Sequence, residues 1–581
     1  MAGSTQGRRN AGWVWWQFVA AGLAHALLAL LAFPPVDVWL LAFAAPVPLI
    51  WAGCRAAERP LLGALLAAIG VLPLWFFQER WLIEVTTLGY PFLAVYMSLC
   101  TGFGVYLIAR IRRRATGIVP IPMCFLAPLA LGASEILRGE ILLTGYAWFL
   151  AGHPLIESAV LAAPAAVLGT YFVSFLVHAL AGAAADAAGW SGAPRARGGQ
   201  AAVVIAVVWC ITSVIGLRQS APRADAIAMH VAVVQTNIPQ SNKMGWSITD
   251  RQTDMRRFAE LTRQAAATRP PPDVILWPET MFPGISLSPE LLDQFDEAWR
   301  ANNPGLYAAG ERSPYIVLAQ DLLKLQAETG IPLIVGSIAM PDPPPGLRGE
   351  REDRLDFGIE HNSAFLIDSG RVQAERYDKV DLTPFGEVIP YVYRWPALQA
   401  KIVSLGAAGM AFNLTPGTKP STLPVSVRAG DAAANSGEEV HVATPICFEG
   451  TRAGLCRWLV CDGPRLRAVA IFNLSNDGWF GHFTGGREQH LQAARWRTVE
   501  LAVPMVRAVN TGISAAIDSR GRIIHLGPAG KGPVNTDGVL SAKLTIEPNR
   551  RPTIYGRIGD IWAWAVLLAA GVWWMWRVVK G

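Results

Sequence analysis

Three short stretches of this chain put reactive side chains at the ends of expected strands. His441-Val-Ala-Thr-Pro-Ile-Cys-Phe-Glu-Gly450 reads as a strand that ends on Cys447, with Glu449 two residues on. A thiol aimed from a strand end into a cleft becomes a nucleophile when a nearby carboxylate or ammonium adjusts its protonation. Leu276-Trp-Pro-Glu-Thr280 places Glu279 just past a strand. Tyr377-Asp-Lys-Val-Asp-Leu-Thr-Pro-Phe-Gly-Glu387 places Lys379 after a hairpin strand and Glu387 on a Gly-Glu turn eight residues later. Each stretch also has a plainer reading: a small buried thiol, a turn acid capping a helix, a solvated loop. The rest of the chain decides between them.

Composition sets the frame. The 581 residues are 52% hydrophobic and only 16% charged, against about 25% charged in soluble domains, so part of the protein sits in lipid. Its 22 Trp residues fit that reading, because Trp collects at membrane interfaces. A net charge of +6 is small for this length and no basic block appears in the polar part of the chain, which argues against nucleic acid. The seven cysteines form no Cys-x-x-Cys and lie near no His at ligand spacing, so no metal site is expected. Cys456 and Cys461 are close enough in sequence to pair.

Residues 1 to about 218 form a series of apolar segments: 13–33, 38–53, 61–78, 90–109, 115–134, 165–185 and 201–217. Each approaches the ~20 residues that a helix needs to cross a bilayer. The run 141–152 is too short to span and is expected to re-enter the membrane or pack on it. With seven spans, ten arginines (8, 9, 55, 59, 110, 112, 113, 114, 195 and 197) fall on one side, and only Arg80 and Arg138 on the other. The positive-inside rule then makes the N-terminus cytoplasmic. An eighth span at 558–576, followed by Arg577 and Lys580, returns the chain to the same side. The expected division is a transmembrane domain at 1–222, an extracytoplasmic domain at 223–550 and a last helix at 551–581.

The extracytoplasmic part alternates short β-rich runs with helical patterns, with hairpin signals at 368–370 and 518–521. This predicts one α/β domain with a mixed sheet, with irregular arms at 339–358 and 391–436. Tyr391, Trp395, Leu398, Ile402 and Phe412 make 391–412 too apolar for an ordinary loop. It reads equally as a membrane-touching lid or as a flap packed on the domain.

A Glu after a strand, a Lys after a hairpin and a Cys at a strand end, in that order, resemble the nitrilase superfamily over 227–545. The wording Tyr-x-Lys…Pro-Phe-Gly-Glu, Ile-Cys-Phe-Glu and Ser475-Asn-Asp-Gly-Trp-Phe480, set between membrane spans and joined by Gly145-Tyr-Ala-Trp148, is narrower. It resembles the membrane-embedded apolipoprotein N-acyltransferase family. That resemblance implies an α-β-β-α sandwich on a polytopic helical base, with Cys447 as nucleophile, Glu279 as general base and Lys379 as oxyanion partner. Glu387 would orient the lysine or the base, Glu449 would shape the site or lid, and Asn362 would give polar support. Phe448 keeps the ring but not the hydroxyl of the Tyr that family members often carry. Trp246 and Trp148 match positions that would bind substrate. The implied reaction takes an acyl chain from a phospholipid, such as phosphatidylethanolamine, onto Cys447 and passes it to the N-terminal S-diacylglyceryl cysteine of an apolipoprotein. No cofactor is implied, and the expected enzyme is a monomer in a bacterial inner membrane with a periplasmic catalytic domain.

Two rivals remain at this point. A membrane-anchored amidase cleaving a C–N bond would use the same three residues with water as acceptor, although one or two anchors would serve it. A transporter with a ligand-binding domain would carry ionisable residues in its spans, where the first seven segments read here hold only His25 and His178. Of the histidines near the nucleophile, His482 and His490 are expected to be loop and helix-start residues rather than partners of the thiol.

Overall fold

The computed structural model describes residues 14–87, 89–113, 121–192, 194–239, 247–340, 359–384, 386–388, 391, 395, 414–428 and 437–579. Trp246 and nearly all of 391–412 lie outside these residues. Among the described residues, six helices are long and apolar enough to cross a membrane: Trp15–Ala32, Trp39–Glu58, Pro60–Gln78, Gly89–Arg112, Thr170–Ala187 and Arg195–Gln219. The run expected at 115–134 is instead a helix Met123–Ile136, which continues as a π turn over Leu137–Ile141. Its exposed first amides are satisfied from a neighbour, since Met123 and Cys124 both donate to the buried Asp186 carboxylate. The expected eighth span is the helix Ile561–Val579.

Close approach, rather than apolar burial, holds helices together in lipid. The helices Trp15–Ala32 and Pro60–Gln78 cross at Gly22 and Gly70, where an added Cβ at either position would meet a partner-helix carbonyl oxygen at 2.2 Å. The spans also carry more charge than expected. Glu135 lies inside its helix, with His178 Nε2 3.4 Å from its carboxylate, and Arg138 follows one turn later.

Those two charges organise 142–152, which is not a span. Its backbone takes positive φ at Leu143, Thr144, Gly145 and Phe149, so it cannot satisfy its own polar groups as a helix would. Arg138 donates to the carbonyls of Tyr146 and Trp148 at 3.0 and 2.7 Å, and Ala151 N donates to Glu135 at 2.9 Å. Irregular backbone at membrane depth survives only with such partners.

The second part is a sandwich of two six-stranded sheets. In chain order the strands are β1 Ile227–Gln235, β2 Val274–Trp277, β3 Leu333–Ala339, β4 His361–Asp368, β5 Arg371–Asp378, β6 Leu423–Val427, β7 Glu438–Ala443, β8 Cys461–Asp462, β9 Arg465–Leu466, β10 Ala470–Ser475, β11 Met505–Val509, β12 Ala515–Ile517, β13 Ile523–Leu526 and β14 Gly538–Ile546. One sheet runs β14-β1-β2-β3-β4-β5 and the other β13-β12-β11-β10-β7-β6, with β8 and β9 a separate ribbon. Strand alternation builds the layers. Met229, Val231 and Val233 of β1 face the inter-sheet core, whereas Ala232 and Val234 face the helices Ile248–Ala266 and Pro314–Thr329. On the far side lie the helices Ala453–Val460 and Thr484–Leu501. Two features depart from expectation: β6 lies inside the expected irregular arm, and β14 pairs with β1 along nine residues. Cys456 and Cys461, whose pairing the sequence left open, are separate free thiols.

The helix Thr484–Leu501 joins the two parts. Although rich in Arg, Gln and His, it is buried from Gly485 through Leu501 apart from the half-buried Glu488. Trp496 Nε1 donates to His153 O at 3.2 Å, Arg495 pairs with Glu157, and Thr170 bonds Glu500 at 2.6 Å.

Replacing Gly70 by Leu forces a side chain into the Val19 carbonyl. Overpacking of this kind costs about 1–3 kcal/mol even where neighbours can shift, and backbone cannot. Gly70→Ala, whose Cβ already meets that carbonyl, and Gly70→Leu are both expected to lose the monodisperse size-exclusion peak in detergent at a markedly lower temperature than the native protein. A native midpoint for either would place the tight crossing elsewhere.

Candidate active site

Two of the three expected reactive residues, Glu279 and Lys379, stand where a strand stops. Glu279 follows β2 by two residues, and β3 passes so close that a Cβ on Gly336 would sit 2.7 Å from Glu279 Cα. Lys379 is the first residue after β5, its N–H held by Asn362 O on β4 at 2.8 Å. Cys447 does not end its strand: β7 stops at Ala443, and Cys447 opens a 3-10 turn through Thr451 with φ +55°. A non-glycine residue in that left-handed region costs about 1–2 kcal/mol, so the turn must be held from outside.

Glu449 holds it. Its carboxylate, wholly buried, accepts Ile446 N at 2.7 Å, Val380 N at 2.7 Å, Asp381 N at 2.8 Å and Tyr377 Oη at 2.9 Å. One side chain thereby ties the nucleophile turn to the lysine loop. Burial lifts its pKa to about 7, against the pull of Lys379 and the backbone amides.

The lysine is enclosed by acids. Lys379 Nζ lies 2.7 Å from Glu387 Oε2, 3.5 Å from Glu279 Oε1 and 3.2 Å from Thr383 Oγ1, with 1% of its surface exposed. Burial alone would lower its pKa, but Glu387 and then Glu279 outweigh that and raise it. Glu387 moves the opposite way: burial raises it, Lys379 more than reverses this, and the result is a lowered pKa. Asn362 bridges the carboxylates, its Nδ2 donating to Glu279 at 2.8 Å and to Glu387 at 3.3 Å. Asn476 N donates to the other Glu279 oxygen at 2.9 Å. The Cys447 thiol is pushed up by burial and by Glu279, with Lys379 opposing. A resting thiol of this kind keeps its proton and needs a base as it attacks.

Of the other expected residues, Phe448 is 8% exposed and packs in a cluster with Trp148, Phe149 and Phe480. Trp148 comes from the membrane-side strap; its Nε1 donates to Thr451 at 3.3 Å and its ring stacks on His490. Tyr391, within the apolar arm, bonds the same strap through Leu143 N and Ile141 O. His490 is not at the thiol: its Nε2 faces the Cys447 carbonyl at 3.4 Å and its Nδ1 faces Asp477 at 3.1 Å. The sequence reading missed Asp477, Asn473 and Arg507 as a group. Asp477 stood inside the quoted Ser-Asn-Asp-Gly-Trp-Phe stretch, but nothing in the order of residues pointed to the other two.

The architecture and site define a carbon–nitrogen hydrolase-type domain, and residues 230–548 match the carbon-nitrogen hydrolase family. Residues 25–183 match the apolipoprotein N-acyltransferase N-terminal domain. Apolipoprotein N-acyltransferase of Rhodopseudomonas palustris is 28% identical over 96% of this chain and 94% of its own length. That of Bordetella bronchiseptica is 31% identical over 74% of this chain and 69% of its own. Among solved structures, a carbon-nitrogen hydrolase from Helicobacter pylori superposes on 55% of this chain and 89% of its own, at 14% identity and TM-score 0.33. The chain belongs to the apolipoprotein N-acyltransferase family. It is a multi-pass membrane acyltransferase of lipoprotein maturation, which takes a lipoprotein as substrate.

Asp477 supplies a pH test of the scaffold. Burial would raise its pKa, but His490 and Arg507 hold it at about 2, below the ordinary 3.8. A depressed carboxylate contributes stability that is present above the unfolded pKa and lost as pH falls through the folded one. The shift corresponds to roughly 2 kcal/mol. Asp477→Asn is expected to lower the thermal unfolding midpoint at neutral pH and to flatten the acid-side loss that the native protein shows between pH 3.8 and 2. Parallel acid profiles for the two proteins would assign the stabilisation to other groups.

Proposed function

We propose that Cys447 carries the acyl group as a thioester, with a phospholipid as donor and the α-amino group of an S-diacylglyceryl cysteine as acceptor. The observation that supports this most is the single buried cluster in which Glu279, Lys379 and Glu387 surround the charge environment of a left-handed Cys447. In the first half-reaction Glu279 takes the thiol proton as sulfur adds to the ester carbonyl. Lys379 holds the oxyanion, and collapse expels the lysophospholipid alkoxide, which takes the proton back from Glu279. In the second half a neutral amine adds to the thioester, having left its ammonium proton to solvent. Glu279 accepts the proton that the amine sheds and returns it to the departing thiolate. Two substrates using one cysteine in turn give ping-pong kinetics.

Glu387 and Asn362 serve this chemistry indirectly in the proposal. A lone Lys–Glu pair out of water is costly unless its remaining valences are filled, and these two side chains fill them. Glu449 fixes the turn, Phe448 packs on the membrane side, and Trp148 and Trp246 are assigned to substrate binding. Phosphatidylethanolamine is the proposed donor. Residues 1–222 and 551–581 are placed in a bacterial inner membrane with both termini cytoplasmic, residues 223–550 are placed in the periplasm, and the working unit is placed as a monomer.

Intact mass of purified protein after incubation with phospholipid tests the reading. A hydroxylamine-sensitive acyl adduct is expected on the native protein and none on Cys447→Ala. Lys379→Ala is expected to fold and insert yet form adduct ~10²–10³-fold more slowly, the usual cost of losing an oxyanion partner. Absence of an adduct on the native protein sinks the thioester. Turnover to free fatty acid in the presence of acceptor peptide would favour hydrolysis over transfer.

A further inference from the structure

Behind the nucleophile turn lies a second polar cluster that the proposed chemistry does not use. Arg507 on β11, wholly buried, donates from Nη1 to Asn473 Oδ1 on β10 at 3.0 Å and from Nη2 to Asp477 Oδ2 at 3.4 Å. With its oxygen so engaged, the Asn473 amide turns its Nδ2 to Pro445 O at 2.9 Å and to Cys447 O at 3.2 Å. His490, 2% exposed, brings Nε2 to 3.4 Å from that same Cys447 oxygen. Two side chains from different elements therefore converge on one carbonyl. Two glycines keep the space tight: a Cβ at Gly450 would stand 2.7 Å from Asn473 Cγ, and one at Gly512 2.2 Å from Asp477 Oδ2.

The consequence follows from peptide planarity. In a trans peptide the carbonyl and the next N–H point to opposite sides of one rigid plane. Holding Cys447 O against Asn473 and His490 turns the Phe448 N–H away from the cluster. That N–H precedes the first internal bond of the 3-10 turn, Glu449 N to Ile446 O at 3.1 Å, so the turn does not consume it. We infer that His490, whose Nδ1 faces the Arg507 Nη2 donor at 3.4 Å so that the neutral ring carries its proton on Nε2, and which stacks on Trp148 at 5.4 Å and 26°, is a positioning residue for acyl transfer. With Asn473 it locks the Cys447–Phe448 peptide so that the Phe448 N–H joins Lys379 at the oxyanion. The role rests on the thioester reading above, and it extends to the membrane domain, because the ring that backs His490 belongs to the strap held by Arg138.

Substitutions that separate donor from packing test this. His490→Phe keeps a ring against Trp148 but has no N–H, whereas His490→Gln keeps a donor. Two rates are read at Cys447: acyl-adduct formation from phospholipid, which builds an oxyanion, and alkylation by iodoacetamide, which builds none. His490→Phe is expected to slow adduct formation about tenfold or more, in line with loss of an oxyanion donor, with KM for phospholipid little changed and mapped alkylation of Cys447 at the native rate. His490→Gln is expected to recover most of the loss. Asn473→Leu, which removes the other donor, gives the same split if His490→Phe is not recovered folded. Parallel loss of both rates, an unaffected adduct rate, or His490→Gln no better than His490→Phe would each overturn the role. The thioester itself is judged on the native protein alone, so the two failures are distinct.

Discussion

The site depends on one buried carboxylate that neither attacks nor transfers protons in the proposed scheme. Glu449 sits on the nucleophile turn of one sheet, and it accepts the amides of Val380 and Asp381, just beyond the lysine strand of the other. Sheets packed face to face have no hydrogen bonds between them, and their apolar core fixes spacing better than it fixes register. A carboxylate with four donors does fix it, because leaving any of those donors unmade inside the protein costs about 1–3 kcal/mol. The left-handed Cys447 is tolerable for the same reason: the turn around it is over-determined.

Charge then separates the roles. Lys379 and its two acids make an odd-numbered cluster, and only dense hydrogen bonding keeps such a group ionised out of water. Asn362, Thr383 and the Asn476 amide supply that bonding. The lysine is thereby held as a cation, while burial and Glu279 keep the Cys447 thiol protonated, as the proposed attack assisted by a base requires. A permanently ionised cysteine would be open to oxidation and to stray acyl donors. A thiol that ionises only against a positioned carbonyl is guarded by its own pKa.

Much of this was legible from residue order. Glu279, Lys379 and Cys447 each follow a β-rich run, with Glu387 on a turn eight residues after the lysine, and strand ends are where such a fold exposes side chains, so their convergence could be read from pattern. The supports were not, because they are non-local. Asn473 lies inside an apolar strand and looks like an interruption, and Arg507 looks like a charge that should face water. Both are explained only when β10 and β11 pair in parallel and set residues 473 and 507 side by side. The helix Thr484–Leu501 has the composition of a solvated helix, yet it is buried, with a membrane-domain face against it. β14 alternates regularly through Leu540, Ala542, Leu544 and Ile546, and it escaped notice because it follows a Gly- and Pro-rich stretch.

The buried polar helix also explains why the catalytic sandwich and the membrane helices behave as one machine. An ordinary tether would need only the peptide at 220–226. Here Arg495, Trp496 and Glu500 bond backbone and side chains of 153–170, while His490, one to two turns earlier on the same helix, reaches the nucleophile's carbonyl. The strap that carries Trp148 is itself fixed by Glu135 and Arg138 from within the membrane domain. Membrane and site are thus linked by stiff elements with few rotatable bonds. Under the role proposed for His490, the strap bears through Trp148 on the geometry of the Cys447 carbonyl rather than on a group that handles a proton.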